Sequence, residues 1–185
     1  MKTEEKSVRE ISDKLKGMGD YVKMGYLKDC LRRTLDLETR RFVLSNLSAI
    51  YEKRKMLGEA GKLYRILADL NLNKDSRVND FVKSVELFIR AGILEEAEVS
   101  YYKALNSVKE IEKQRIIEGV KGFYLSQARV YSAKGKRRHA SLMYEKLLKS
   151  FQLNIAEKRF VNQELANLYK QLGKVRESLD LEKKI

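Results

Sequence analysis

The sequence predicts an all-α protein built from antiparallel helix hairpins, and three observations carry that prediction. The 185 residues contain no proline and only 10 glycines, while Lys, Glu and Leu abound, so helix breakers are scarce and helix formers plentiful. Apolar residues recur at steps of three and four, the period of one helix face. One spacing of aromatic, small and turn residues also returns four times along the chain.

The spacing is clearest between Phe81 and Leu105. Phe81, Val85 and Phe88 share a helical face, and Gly92 supplies a left-handed turn that ends the helix. A second helix beginning at Leu94 carries Ala97, Tyr101, Ala104 and Leu105 on one stripe. Small Ala97 falls where two paired helices approach most nearly. Relative to Ala97, an aromatic stands nine residues earlier (Phe88), a small or medium residue twelve earlier (Val85) and an aromatic four later (Tyr101). Ala60 has the same companions in Tyr51, Ser48 and Tyr64, and Ala140 has Tyr131, Ala128 and Tyr144. Ser178 has Tyr169 and Ala166 but meets Glu182 at the last mark.

Taken in order, residues 4–37 form a divergent N-terminal hairpin. Val8, Ile11, Leu15, Met18 and Val22 follow helical steps, and a helix either runs through Gly17 and Gly19 or breaks at GMGD. After Gly25, Cys30 takes the position that alanine fills elsewhere, only 30 residues before Ala60. Four repeats follow at 39–70, 79–108, 118–150 and 159–185. Residues 71–80, NLNKDSRVND, have loop composition, and Asn79 or Asp80 is placed to cap the next helix. The stretch SVKEIEKQRIIEG is helical in propensity, so the extra residues before the third repeat lengthen a helix. No Gly/Ser-rich or low-complexity linker divides the chain, which reads as one domain over residues 1–185.

These marks resemble tetratricopeptide (TPR) repeats, which place small residues where paired helices cross and aromatics where they pack. The anchors Ala60, Ala97, Ala140 and Ser178 stand 37, 43 and 38 residues apart, longer than the standard repeat of roughly 34, and the usual inter-repeat proline is missing. In the first repeat Gly58 lies three places later than Gly92, Gly135 and Gly173 predict. The pattern is similar to the longer repeats of SNAP-type adaptor proteins. The resemblance implies a right-handed α-solenoid, with the 4–37 hairpin capping one end.

Composition bounds the function. The start MKTEEKSVRE is too charged for a secretory signal, and no apolar run reaches membrane-spanning length, so a cytoplasmic protein without membrane insertion is expected. A single cysteine excludes an intramolecular disulfide. The only histidine, His139, has no catalytic partners nearby in sequence, and Cys30 reads as a buried small hydrophobe rather than a nucleophile. The adjacent carboxylates Glu95 and Glu96, or Glu4 and Glu5, point in different directions on a helix and cannot share a reacting group. With no phosphate-binding glycine loop, no metal-ligand spacing and the tyrosines assigned to the core, no catalytic, cofactor or metal site is expected. The chain reads as a non-enzyme.

Surface is what is left for function. The resemblance implies a concave face lined by Lys83 and Glu86, two and five residues after Phe81, and by the equivalent positions of the other repeats: Asn46 and Ala49, Ser126 and Arg129, Glu164 and Asn167. Such a groove would hold an extended protein or peptide segment through side-chain hydrogen bonds, with Asn46 and Asn167 as donors and acceptors. The carboxylate clamp of chaperone-binding TPR proteins is matched at Asn46 and, less well, at Lys83, while Leu15 and Gly19 stand where its first two members belong. The net charge of +13 attracts acidic partners. Its clusters fall at hairpin turns: Lys53, Arg54 and Lys55; Lys134, Lys136, Arg137 and Arg138; Lys170, Lys174 and Arg176. In a solenoid these turns share an edge, interrupted at the second repeat by Glu95 and Glu96 beside Arg90. The main expectation is a scaffold for a protein or peptide, and the alternative is nucleic-acid binding along that basic edge. The apolar residues of the last hairpin, Val175, Leu179 and Leu181, are expected either to be covered by a second copy in a homodimer, the preferred reading, or to be offset by Glu182, Lys183 and Lys184 in a self-capping helix.

Overall fold

The computed structural model describes residues 7–184. Glu4 and Glu5, with the start of the 4–37 segment, and Ile185 lie outside the described residues. Ten α-helices and no strand occur among those described, so the chain is all-α. They divide into two compact units, Met1–Lys109 and Glu110–Ile185.

The first unit holds α1 (Val8–Leu15), α2 (Asp20–Leu31), α3 (Leu37–Lys53), α4 (Leu57–Leu70), α5 (Lys74–Ala91) and α6 (Leu94–Asn106). From α2 onward each helix packs on the next, and α1 packs on α3. The second unit holds α7 (Glu110–Ala133), α8 (Arg137–Ser150), α9 (Ile155–Gln171) and α10 (Val175–Glu182), again packed in sequence. Short connections between packed neighbours force each pair to run antiparallel.

Four hairpins close with the same turn. The carbonyls of Tyr51, Phe88, Tyr131 and Tyr169 each accept from the N–H five residues later, at Met56, Ile93, Lys136 and Lys174, all at 2.9 Å. Between them Lys55, Gly92, Gly135 and Gly173 sit at φ of 61°, 77°, 67° and 76°. Their N–H groups donate to Glu52, Ile89, Ser132 and Lys170 at 3.0, 3.0, 2.9 and 3.2 Å. This is the Schellman closure, in which a left-handed residue after the helix redirects two otherwise orphaned carbonyls. The next residue caps the second helix, and its carbonyl accepts from Ala60, Ala97, Ala140 or Ser178 at 3.0 to 3.2 Å. The nine-residue interval between aromatic and small residue is thus the length of one Schellman turn plus one helical turn.

The small positions are where the helices close. Ala60, Ala97, Ala140 and Ser178 are all buried, as are their partners Ser48, Val85, Ala128 and Ala166. Ser178 fits because its hydroxyl donates to the Ala166 carbonyl of α9 at 2.9 Å, which satisfies the polar atom it brings inside. Between α4 and α5 the approach is closer still. A Cβ on Gly61 would lie 3.2 Å from three ring carbons of Phe88, and the Gly61 carbonyl accepts from Ser84 Oγ at 2.8 Å. Ser84 Oγ also shares a hydrogen bond with Ser100 Oγ of α6 at 2.9 Å, so one buried hydroxyl ties three helices.

Several expectations need correction. Gly58 is not the displaced turn glycine of the first repeat, because Lys55 takes the left-handed position and Gly58 lies inside α4. The loop expected at 71–80 is confined to residues 71–73. Asn73, rather than Asn79 or Asp80, caps α5 by accepting from Ser76 N–H at 2.9 Å, because Lys74 to Asp80 continue the helical register. GMGD does break the first helix, and α2 restarts in a different phase, which turns Val22 outward at 54% exposure. Tyr21 and Tyr102 are exposed rather than core residues.

Lys55 is an L-residue held where glycine is favoured at a cost of roughly 1–2 kcal/mol, of which the freer unfolded chain of a glycine returns about 0.4–1 kcal/mol. Lys55→Gly should therefore stabilise the protein by about 1 kcal/mol and raise Tm by roughly 2–4 °C, read by calorimetry. Ala97→Leu, at a crossing with no spare room, should cost roughly 1–3 kcal/mol in chemical denaturation.

Candidate functional site

The eight residues assigned to a concave groove divide between the units, with Asn46, Ala49, Lys83 and Glu86 in the first and Ser126, Arg129, Glu164 and Asn167 in the second. None is fully buried. In the first unit two of them are spent on neighbours. Lys83 Nζ lies 3.1 Å from Glu52 and 3.2 Å from Glu86, and Glu86 also holds Arg90 at 2.9 Å. Burial would lower the Lys83 pKa, but these carboxylates outweigh it and raise it above the ordinary lysine value. A partner at this point would have to displace an ion-pair network.

Asn46 and Ala49 differ, because they line a cleft of about 400 Å³ shaped by α1, α2 and α3. Leu15, Phe42 and Ile50 give it apolar walls, and Lys16, Asp20, Lys23 and Lys53 stand at its polar margin. Asn46 Nδ2 donates to the Phe42 carbonyl at 2.9 Å, which fixes the amide and leaves Oδ1 and the second Nδ2 hydrogen for a partner. Of the rim cations, Lys16 is paired with Asp13 at 2.7 Å and Lys53 with Asp20 at 2.9 Å. The Lys53 hydrogen bond holds the Asp20 carboxyl below its ordinary pKa despite an opposing desolvation effect.

A second cleft of the first unit, about 610 Å³, was not anticipated. It is lined by Glu38, Arg41, Tyr64, Asn71 and Asp80 among others. Burial raises the Asp80 pKa, against the hydrogen bond from Asn71 and the charge of Arg41. The sequence hid this cleft because α3, α4, the short 71–73 loop and the early start of α5 build it together.

In the second unit the groove residues stand outside the cavity that Lys121 and Glu157 bound. Arg129 sits 5.7 Å from the Phe160 ring centre, and Ser126 and Asn167 are exposed. The cavity here, about 200 Å³, is bounded by Lys121, Leu125, Leu147, Leu153, Glu157, Phe160 and Val161. Lys121 is 4% exposed, yet its Nζ reaches Glu118 and Glu157 at 3.0 Å each. Glu157 Oε2 also accepts from the Asn154 N–H at 2.9 Å, and Asn154 Oδ1 accepts from the Glu157 N–H at 2.8 Å, a capping box that starts α9. One carboxylate thus both caps α9 and joins α7 to it. Sequence reading missed Lys121, whose signal was a lysine set among Val120, Tyr124 and Leu125 with Glu118 one helical turn before it.

The basic clusters also behave differently in the two units. In the first, Lys53 is paired with Asp20 and the Arg54 guanidinium lies 3.7 Å over the Tyr21 ring, leaving exposed Lys55. In the second, Lys134, Lys136, Arg137, Arg138, Lys170, Lys174 and Arg176 are all exposed. On α10, Val175 and Leu179 are 58% and 51% exposed, so part of the apolar stripe expected to self-associate is open to solvent. His139 is exposed with its ring 5.2 Å from that of Tyr131, and Cys30 is buried. Among the described residues no group of three or more His, Cys, Asp or Glu could hold a metal ion, and no helix is long and apolar enough to cross a membrane.

No protein-family model matches the chain, and no curated protein matches it. Among solved structures it is similar to the crystal structure of BtubC (BKLC) from P. vanneervenii. The identity is 19% over 94% of this chain and 76% of that one, with a TM-score of 0.39. A likeness at that level speaks to neither function nor partner.

The Lys121 arrangement has a pH signature. The Asn154 N–H, together with Lys121, lowers the Glu157 pKa against desolvation. A carboxylate depressed in the folded state contributes stability that is present above its unfolded pKa of about 4.3 and is lost as pH falls through the folded value. Denaturation between pH 2.5 and 7 should show wild type losing stability in this acid window, with a shallower loss in Glu157→Gln.

Proposed function

We propose that the protein is a non-catalytic scaffold of TPR-like hairpins, arranged as a right-handed solenoid, whose partner is a peptide or protein segment received between α1, α2 and α3. The observation that carries this reading is the cleft at Asn46 and Ala49, where residues of the expected groove stand beside apolar walls and an amide already oriented. Its volume falls in the range of ordinary ligand clefts, roughly 300–1,000 Å³. The four repeated Schellman turns support the TPR-like assignment, since each places an aromatic and a small residue at the repeat's own interval. With the small residues and most of the aromatics committed to packing, recognition falls to the polar surface of the first helix in each pair.

The cleft favours a segment carrying one apolar side chain beside an acidic one. The apolar group would pack on Leu15, Phe42 and Ile50, and the acid would face Lys23. Asn46 Oδ1 would accept a backbone N–H of the segment, the type of bond that holds extended peptides without reading their sequence.

Selection from a displayed library of random twelve-residue peptides tests the reading. It should enrich segments with adjacent apolar and acidic residues, and calorimetry should show their binding lost in Ala49→Arg, an exposed position whose substitution leaves Tm within about 1–2 °C. Failure to enrich any peptide, or binding indifferent to Ala49→Arg and Asn46→Ala, would remove the cleft as the recognition site.

A further inference from the structure

The charge of the chain is concentrated in its shorter part. The second unit carries seventeen Lys and Arg against nine Asp and Glu, a net +8, while the longer first unit carries twenty-two against seventeen, a net +5. Within the second unit the excess gathers at two turns. Lys134 to His139 and Lys170 to Arg176 contain seven cations and no acidic residue. The turns are held side by side, because Arg137 Nε donates to Gln171 Oε1 at 2.8 Å across them.

Three features set this patch apart from a merely solubilising surface. Cations elsewhere find carboxylates, as Lys53 and Lys62 do at the surface and half-buried Lys103 and Lys113 do below it, whereas these seven stand together, all exposed and none with an ion-pair partner among the described residues. Next, α8 opens with Arg137, Arg138 and His139 and has no acid in its first turn, whereas α4, α6 and α10 open with Glu59, with Glu95 and Glu96, and with Glu177. Like charges at the positive end of a helix dipole oppose folding, and an anion bound there would relieve them. Finally, three of the seven are arginines, whose planar guanidinium matches a phosphate with two parallel hydrogen bonds.

We infer that these two turns form a binding surface for the sugar-phosphate backbone of nucleic acid, separate from the peptide cleft and independent of it. Lys134, Lys136, Arg138, Lys170, Lys174 and Arg176 contact successive phosphates, with Arg137 braced by Gln171 between them. The surface reads charge and not sequence. Its neighbouring rings are already engaged, Tyr131 against His139 and Tyr169 under Lys174 at 4.8 Å with its hydroxyl on Glu145, so no platform is open for stacking bases. An acidic protein would need an apolar interface core, and Val175 is the one exposed apolar side chain within these two segments.

The test uses fluorescence anisotropy of the full chain with a labelled thirty-nucleotide single-stranded RNA, a DNA duplex of mixed sequence, poly-glutamate and vesicles containing phosphatidylserine. The expected result is micromolar or tighter binding of both nucleic acids at low salt, indifferent to sequence. Affinity should fall with salt at a log–log slope of about −0.7 to −0.9 for each phosphate contacted. Arg137→Glu/Arg138→Glu/Lys174→Glu should reduce affinity at least tenfold and flatten that slope, with the circular dichroism melt retained. The neutral Arg137→Gln/Lys174→Gln pair serves if the reversal variant unfolds. Three outcomes would overturn the inference. These are absence of nucleic-acid binding at low salt, binding unchanged in these variants but lost in Arg54→Glu/Lys55→Glu, and equal or tighter affinity for poly-glutamate or the vesicles.

Discussion

The packing within each of the four hairpins follows from how little chain is spent between paired helices. A Schellman closure followed at once by the cap of the next helix leaves no residues with which to separate the two axes, so the second helix must lie against the first. The side chain one turn into the second helix therefore has to be small. Ala60, Ala97, Ala140 and Ser178 meet that demand, and of the aromatics whose carbonyls anchor the turns Tyr51 and Phe88 are buried while Tyr131 and Tyr169 are half-buried. Packing and turn chemistry are two expressions of one constraint.

That coupling explains what could be read from the amino acids alone. The nine-residue interval was visible because both of its ends are fixed by chemistry: an αL residue with its two carbonyl partners at one end, a buried crossing at the other. Where a substitute satisfies the geometry at a cost, the pattern blurs. Lys55 adopts the left-handed conformation without being glycine, which made Gly58 look displaced. Helix beginnings were also poorly marked. Lys74 to Asp80 carry the polar composition of a loop, yet an asparagine cap at Asn73 is enough to start the helix ahead of them.

The surface was legible only in part, and for a different reason. A repeat tells which face a residue occupies, and the groove positions are accordingly half-buried or exposed. It does not tell which of them are already bonded to neighbours. Lys83 and Glu86 are held in a network with Glu52 and Arg90, while Asn46 keeps an acceptor available. The same distinction separates the basic turns, since Asp20 and Tyr21 engage Lys53 and Arg54 in one unit while the clustered cations of the other have no carboxylate partner among the described residues. Both partners come from α2, a helix that belongs to no repeat.

Although the hairpins share a turn, they are not interchangeable parts. Ser84 can reach the Gly61 carbonyl only because α4 presents a bare Cα to the Phe88 ring, and Ser100 completes the contact from α6. Lys121 and the Asn154 box join α7 to α9 by a wholly different device, an ion pair at a helix start. Each junction thus works as a lock cut for one key. Transplanting the second hairpin into the place of the third would preserve every turn and every crossing residue, yet it would part the Ser84 hydroxyl from the Gly61 carbonyl and remove the Lys121 that joins Glu157. The order of the hairpins along the chain is written in these junctions, and not in the features that make the hairpins look alike.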